Sequence, residues 1–176
     1  MKFIPTPLPG AFVIEPQLFI DDRGFFTRTF SKKELADHGC NADLFECNVS
    51  FNRKAGTLRG MHFQNAPHAQ SKLVRCTRGA IWDAIIDLRP SSATFKRWFG
   101  VELTAENRTQ LYIPEGFAHG FITLADETEV SYLMGSVYNA AASAGVRWND
   151  PAFGIQWPRA VSVIIERDNT YPDFTA

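Results

Sequence analysis

Thr57-Leu58-Arg59-Gly60-Met61-His62-Phe63-Gln64 sets a histidine in a short run of apolar and aromatic residues, and Pro114-Glu115-Gly116-Phe117-Ala118-His119-Gly120-Phe121 repeats the arrangement downstream. Both runs place a glycine close to the histidine, and both read as β-strands. Alternation along the first puts Leu58, Gly60, His62 and Gln64 on one face, with Arg59, Met61 and Phe63 on the other. In the second, Pro114 and Gly116 form a turn feeding the strand that carries His119 and Phe121. If the two strands are neighbours, two imidazoles share one pocket.

The same signature extends in both directions. Phe45–Phe51, Gly56–Gln64, Lys72–Arg78, Ala80–Leu88, Trp98–Leu103, Gln110–Ile113, Phe117–Leu124, Glu129–Tyr138 and Val161–Ile165 all read as short strands between Gly, Pro and polar turns. Upstream, three prolines in residues 3–10 favour an extended arm, and Ala11–Ile20 reads as short strands broken at Pro16. Asp21-Asp22-Arg23-Gly24 is turn chemistry leading into the β-prone run Phe25–Phe30. Ser31 followed by Glu34 predicts a capped helix over Lys32–His38, stopped at Gly39. Many short strands with few helices indicate an all-β sandwich or jelly-roll barrel, and residues 1–176 read as one domain with no repeat or linker.

Composition narrows the function classes. The 176 residues are 45% hydrophobic and 21% charged, with a formal net charge of -1. That charge argues against capture of nucleic acid, which needs surplus Lys and Arg. Cys40, Cys47 and Cys76 are odd in number and lack CxxC spacing, so reduced thiols in a cytoplasmic protein are expected rather than a disulfide framework. The N-terminus lacks a signal-peptide core, and no apolar run is long enough to span a bilayer. No membrane association is expected.

Candidate chemistry begins with His62 and His119, because an imidazole side chain in general titrates near neutrality and suits proton abstraction. A histidine on a strand is more often a packed or surface residue, but two in matching settings point to a site. His38 and His68 lack that context. A metal is the rival reading. Cupins, a jelly-roll family, commonly bind one through His-x-His, a Glu and a later His; here the later motif is present as Glu115 and His119, but His62 is followed by Phe63-Gln64. Two histidines without a third ligand make a poor metal site. Lys72 would supply positive charge where an enolate develops, and Arg59 and Arg23 could clamp phosphates through their planar forks. Tyr132 and Tyr138, at even spacing on one expected strand, would share a face, one as an acid and one as a stacking ring. Asp168 could orient a histidine base.

Taken together these stretches resemble the dTDP-4-dehydrorhamnose 3,5-epimerase family of cupin-fold nucleotide-sugar isomerases. The resemblance runs through Asp22-Arg23-Gly24-Phe25-Phe26, Asn48-Val49-Ser50, Leu58–Gln64, Lys72-Leu73-Val74-Arg75, Gly79-Ala80-Ile81-Trp82-Asp83, Asp87-Leu88-Arg89, Pro114–Phe121, Trp148-Asn149-Asp150-Pro151 and Glu166-Arg167-Asp168. It implies a cupin-type jelly roll with a few short helices and an extended N-terminal arm. It also implies a cofactor-free epimerase that inverts carbon 3, carbon 5 or both next to the ketone of a nucleotide-linked 4-keto-6-deoxy sugar, for rhamnose or other polysaccharide biosynthesis. In that reading His62 is the base, paired with Asp168, and Tyr132 is the acid on the opposite face. Lys72 and His119 lie near the ketone oxygen. Arg23, Phe26, Asn48, Arg59, Tyr138 and Arg167 bind substrate, Arg23 and Arg59 at the diphosphate and Tyr138 against the base. The resemblance further implies a homodimer that exchanges N-terminal strands. Departures from the family pattern at Arg28, Glu46, Leu133 and Ser143 keep two alternatives open: a mono-epimerase of another nucleotide sugar, and a non-catalytic sugar-nucleotide-binding cupin.

Overall fold

In the computed structural model, which describes residues 1–175, the chain begins with β1 (Lys2–Pro5), β2 (Phe12–Glu15), β3 (Phe19–Asp21), β4 (Gly24–Phe26) and helix α1 (Lys32–Asp37). It continues through β5 (Glu46–Asn52), β6 (Leu58–Gln64), β7 (Lys72–Arg78), β8 (Ala80–Asp87) and β9 (Trp98–Thr104). It closes with β10 (Gln110–Ile113), β11 (Phe117–Thr123), β12 (Thr128–Met134), β13 (Ser143–Gly145) and helix α2 (Glu166–Asn169). A six-stranded sheet, β1-β2-β10-β7-β12-β5, faces a five-stranded sheet, β13-β6-β11-β8-β9, while β3 and β4 pair as a separate hairpin. All pairings within the sheets are antiparallel. The architecture is the all-β jelly roll that the strand pattern indicates. The last residue of the 1–176 span lies outside the described residues.

Alternation explains what each strand contributes. Val74 and Cys76 on β7, Ile81 and Ile85 on β8, Leu111 and Ile113 on β10, and Phe117 and Phe121 on β11 point between the sheets and form one buried cluster. Burying each such side chain contributes about 1.5–3 kcal/mol. The opposite phase of β8, Trp82, Ala84 and Ile86, packs outward with Met61 and Ala118 against Phe153 and Trp157 of the C-terminal segment. α1 covers the other sheet, laying Leu35 against Ile14, Leu73 and Tyr112. Because part of each sheet is covered outside as well as inside, strands such as β8 (AIWDAIID) and β10 (QLYI) are apolar on both faces.

The helix starts where its cap predicts: Ser31 Oγ accepts from the Glu34 amide at 3.3 Å. The Glu34 carboxylate does not reach back to complete the box; it binds the Met1 ammonium at 2.7 Å. The proline-rich arm is accordingly no free extension. Its β1 portion pairs with β2 along the sheet edge.

Three expected strand runs are cut short. The run from Glu129 to Tyr138 leaves the sheet at Met134, because Gly135 turns over Ser71, donating to its carbonyl at 2.8 Å. A Cβ there would lie 2.0 Å from Ser71 Oγ. Val161–Ile165 forms a single bridge, Thr57 to Val163, and otherwise runs as an irregular wall beside β6. The Phe25–Phe30 run likewise stays in strand only to Phe26. No helix among the described residues is long and apolar enough to cross a membrane.

Candidate active site

β6 and β11 are neighbours, and their register sets His62 directly against His119. The strands approach closely because both carry glycine at the crossing. A Cβ on Gly60 would lie 2.5 Å from the Gly120 Cα, and one on Gly120 would lie 2.6 Å from Met61 Sδ. The same place carries a bulge: Arg59 and His62 are three positions apart, whereas their partners Phe121 and His119 are two apart. The extra residue reverses the side-chain phase of β6. Arg59 therefore turns into the same cavity as His62, while Met61 packs outward, and strict alternation along this strand is corrected.

The cavity lies between the two sheets and has a volume of about 350 Å³. On the five-stranded side, His62 Nε2 lies 2.8 Å from Asp168 Oδ1. Asp168 comes from α2, a helix absent from the sequence expectation, and is 1% exposed. Burial pushes its carboxyl up, but bonds from His62, the Gly60 amide and Arg167 outweigh burial and hold it below the ordinary carboxylate range. An ionised carboxylate only accepts, so Nε2 of His62 carries the proton and Nδ1 is the free nitrogen.

From the six-stranded side come Tyr132 on β12 and Lys72 on β7. The Tyr132 hydroxyl donates to Ser50 Oγ at 2.7 Å, and burial pushes it up to about 12, with the Ser50 bond opposing. It is a phenol, not a phenolate, at neutral pH. Lys72 is buried, and its ammonium donates to the His62 carbonyl at 3.3 Å. Burial lowers it to about 8, with the charge of Asp83 pulling the other way. His119 is also buried and binds Asp83 Oδ1 through Nε2 at 2.6 Å. Burial lowers the imidazole below its ordinary value despite Asp83, so His119 is neutral with Nδ1 unprotonated.

The remaining expected residues divide. Asn48, Arg59 and Arg167 line the cavity, with Arg59 held by Asn52 Oδ1 at 2.7 Å. Tyr138 does not share a strand face with Tyr132, since β12 has ended; it lines an adjoining hollow of about 280 Å³ together with His62, Lys72, Arg167 and Ser143. Glu46 accepts from the Tyr138 amide at 3.3 Å. Arg23 and Phe26 lie outside both hollows of their own chain. They sit on the β3–β4 hairpin, where Arg23 forks onto Asp21 and Phe26 is 69% exposed. Two residues here had no assigned role in the sequence reading, Asp83 and Ser50. Asp83 had a visible signal, being a carboxylate set between Ile81 and Ile85 on the inward phase of β8, and Ser50 shares the β5 phase of Asn48. No group of three or more His, Cys, Asp or Glu placed to hold a metal occurs among the described residues.

Comparison with known proteins supplies a second line. The family profile described as dTDP-4-dehydrorhamnose 3,5-epimerase matches residues 5–176. A curated protein of that name from Sinorhizobium fredii is 43% identical over 173 residues, spanning 98% of this chain and 89% of its own. Among solved structures, a Bacillus anthracis dTDP-4-dehydrorhamnose 3,5-epimerase with TDP and PPi bound superposes with a TM-score of 0.94 at 45% identity, covering 98% of this chain and 99% of the other. A Legionella pneumophila dTDP-6-deoxy-D-glucose-3,5-epimerase in complex with dTDP-4-keto-L-rhamnose does so with a TM-score of 0.88 at 34% identity, covering 95% and 89%.

Proposed function

This chain belongs to the dTDP-4-dehydrorhamnose 3,5-epimerase family, and from that premise we propose that it inverts carbons 3 and 5 of a dTDP-linked 4-keto-6-deoxy sugar without a cofactor. The observation that carries the reading is that a His–Asp pair and a protonated tyrosine enter one cavity from facing sheets.

The ketone at carbon 4 acidifies the hydrogens on its two neighbours. His62 Nδ1 takes one of them, and the imidazolium that forms is stabilised by Asp168. The electron pair moves onto the ketone oxygen, where the Lys72 ammonium meets the developing charge in a site of low dielectric. His119, with Nδ1 bare, accepts from the substrate instead of donating. Tyr132 then delivers its phenolic proton to carbon from the other face, which inverts the centre. Solvent returns a proton to the phenolate and removes one from His62 before the second carbon reacts.

The nucleotide extends into the hollow lined by Tyr138, whose ring stacks on the base. Arg59 and Arg167 contact the diphosphate, and Asn48 borders the sugar. Arg23 and Phe26 act from a second copy. Phe19, Ile20, Phe25 and Phe26 leave the hairpin apolar and exposed, and β5 is an open edge strand with Val49 and Phe51 uncovered; such an edge is normally paired or shielded. Since β1 already pairs within its own chain, the exchanged N-terminal element is this hairpin. The unpaired thiols of Cys40, Cys47 and Cys76 suit a reducing cytoplasm, and the common core of both sheets suits a single domain.

The test is incubation with dTDP-4-keto-6-deoxy-glucose in heavy water, with label position read by NMR. Deuterium is expected at carbons 3 and 5, to be lost in His62→Ala, whereas Tyr132→Phe retains exchange and loses inversion. Label at one carbon alone would mark a mono-epimerase, and tight binding without exchange a non-catalytic binder.

A further inference from the structure

One charged side chain beside the cavity has no task in this mechanism. Asp83 sits on the phase of β8 that otherwise sends Ile81 and Ile85 into the core, and it is fully buried. It does not line the cavity but stands behind His119, which it meets through Oδ1. Its other oxygen, Oδ2, has no hydrogen-bond partner among the described residues. A bare carboxylate oxygen in the interior is costly unless its charge is used elsewhere.

The cavity holds a matching cation. Lys72 is buried and forms no ion pair among the described residues, its sole hydrogen bond going to the His62 carbonyl. Facing it are Arg59 and His62 from β6, His119 from β11, Tyr132 from β12, and Arg167 and Asp168 from α2. Asp168 is already committed: Oδ1 receives His62 and Arg167, and Oδ2 receives the Gly60 amide. His119 and Tyr132 are uncharged. Asp83 alone carries negative charge that no cation contacts.

We propose that Asp83 is a positioning residue for the epimerisation: it is the counter-charge that keeps Lys72 an ammonium, and it fixes His119 with its proton on Nε2. The proposal rests on the reading of Lys72 as the group that meets the enolate oxygen. Asp83 acts on Lys72 through space, and both side chains are buried, where charges interact more strongly than in water. Burial already brings Lys72 down to about 8, and Asp83 is what opposes that fall. Without its charge the side chain becomes a neutral amine in the physiological range and loses its hold on the oxyanion.

Asp83→Asn keeps the shape and removes the charge. The 15Nζ signal of Lys72, assigned by its loss in Lys72→Met, is followed against pH in both proteins without substrate. The wild type is expected to titrate near 8, and the variant with a proton affinity at least tenfold weaker. The alkaline limb of kcat should move down in parallel while the acid limb stays, whereas a merely structural role would lower kcat equally at every pH. An unchanged Nζ titration in Asp83→Asn overturns the proposal. Should that variant not fold, the Asp83 13Cγ resonance of the wild type serves instead: an inflection at the pH of Lys72 supports the pairing, and its absence overturns it. Because these titrations need no sugar nucleotide, a coupled Lys72–Asp83 pair in a protein that exchanges no label would sustain the electrostatics and sink the proposed reaction.

Discussion

Lys72→Met replaces a buried ammonium with a thioether of similar reach, which turns the electrostatics of the cavity into a stability measurement. Burial takes Lys72 from 10.5 to about 8, and at about 1.4 kcal/mol per pKa unit the folded protein carries about 3 kcal/mol for holding that charge at neutral pH. The attraction of Asp83 is already contained in that gap. The substitution also loses the bond from Nζ to the His62 carbonyl, worth about 1 kcal/mol, so a net gain of about 2 kcal/mol is expected, or about 4–8 °C in Tm for a chain of this length. The sign follows from linkage. Between pH 8 and 10.5 the unfolded chain binds the lysine proton more tightly than the folded one, so wild-type stability rises with pH across that window, and the penalty is present in full below it. The Met variant lacks this rise, and its advantage should vanish by about pH 10.5. Urea unfolding followed by tryptophan fluorescence at pH 7 and at pH 10.5, at equal protein concentration, measures both. A Met variant less stable than wild type at pH 7, or an advantage unchanged at the higher pH, would refute the reasoning. Catalysis should be lost in either case, which makes Lys72 a residue that costs stability and serves chemistry.

Three further outcomes follow from the geometry. Asp168→Asn leaves His62 in place but removes the partner of its imidazolium, so solvent exchange into the sugar should fall about 10²–10⁴-fold; exchange at the wild-type rate would remove the dyad from the mechanism. Gly120→Ala forces a Cβ to within 2.6 Å of Met61 Sδ and 2.7 Å of the Arg59 carbonyl, so it should cost about 1–3 kcal/mol and weaken substrate binding, and a silent substitution in urea unfolding would contradict the close approach of β6 and β11. Unfolding and refolding His62→Ala and Arg23→Ala protein together should restore activity that neither has alone, because each mixed dimer then holds one site with an intact His62 and its partner's intact Arg23; no gain would return Arg23 to a surface role.

Much of the fold is legible because most strands keep strict phase. Lys72–Arg78 and Gln110–Ile113 have the expected ends, and Lys72, Val74 and Cys76 alternate inward as a half-buried strand should. The misreadings come from places where a partner strand decides. Alternation puts Arg59 on the wrong face because the bulge in β6 answers the Gly60–Gly120 approach, which one strand alone does not reveal. The even spacing of Tyr138 from Tyr132 suggests one strand face because it is blind to the turn at Gly135, dictated by Ser71 across the sheet. Val161–Ile165 is β-branched and apolar yet remains outside the sheets as a cavity wall, a tertiary override of propensity. Of the site, the His62–Asp168 pairing is legible through resemblance rather than pattern, whereas the phase of Asp83 alone announces a buried charge.

The two halves of the proton-abstracting pair lie 106 residues apart in the chain, and the second half arrives on a four-residue helix close to the C-terminus. During synthesis both sheets are therefore complete before the carboxylate emerges. A fragment ending at residue 160 would retain Tyr132, Lys72 and His119, yet its histidine would have no anchor. Such a piece would also lack Arg167 and the cavity wall formed by Val163, Ile164 and Ile165, so proteolytic loss of the tail would take away the base's partner, part of the diphosphate site and one side of the cavity in a single cut.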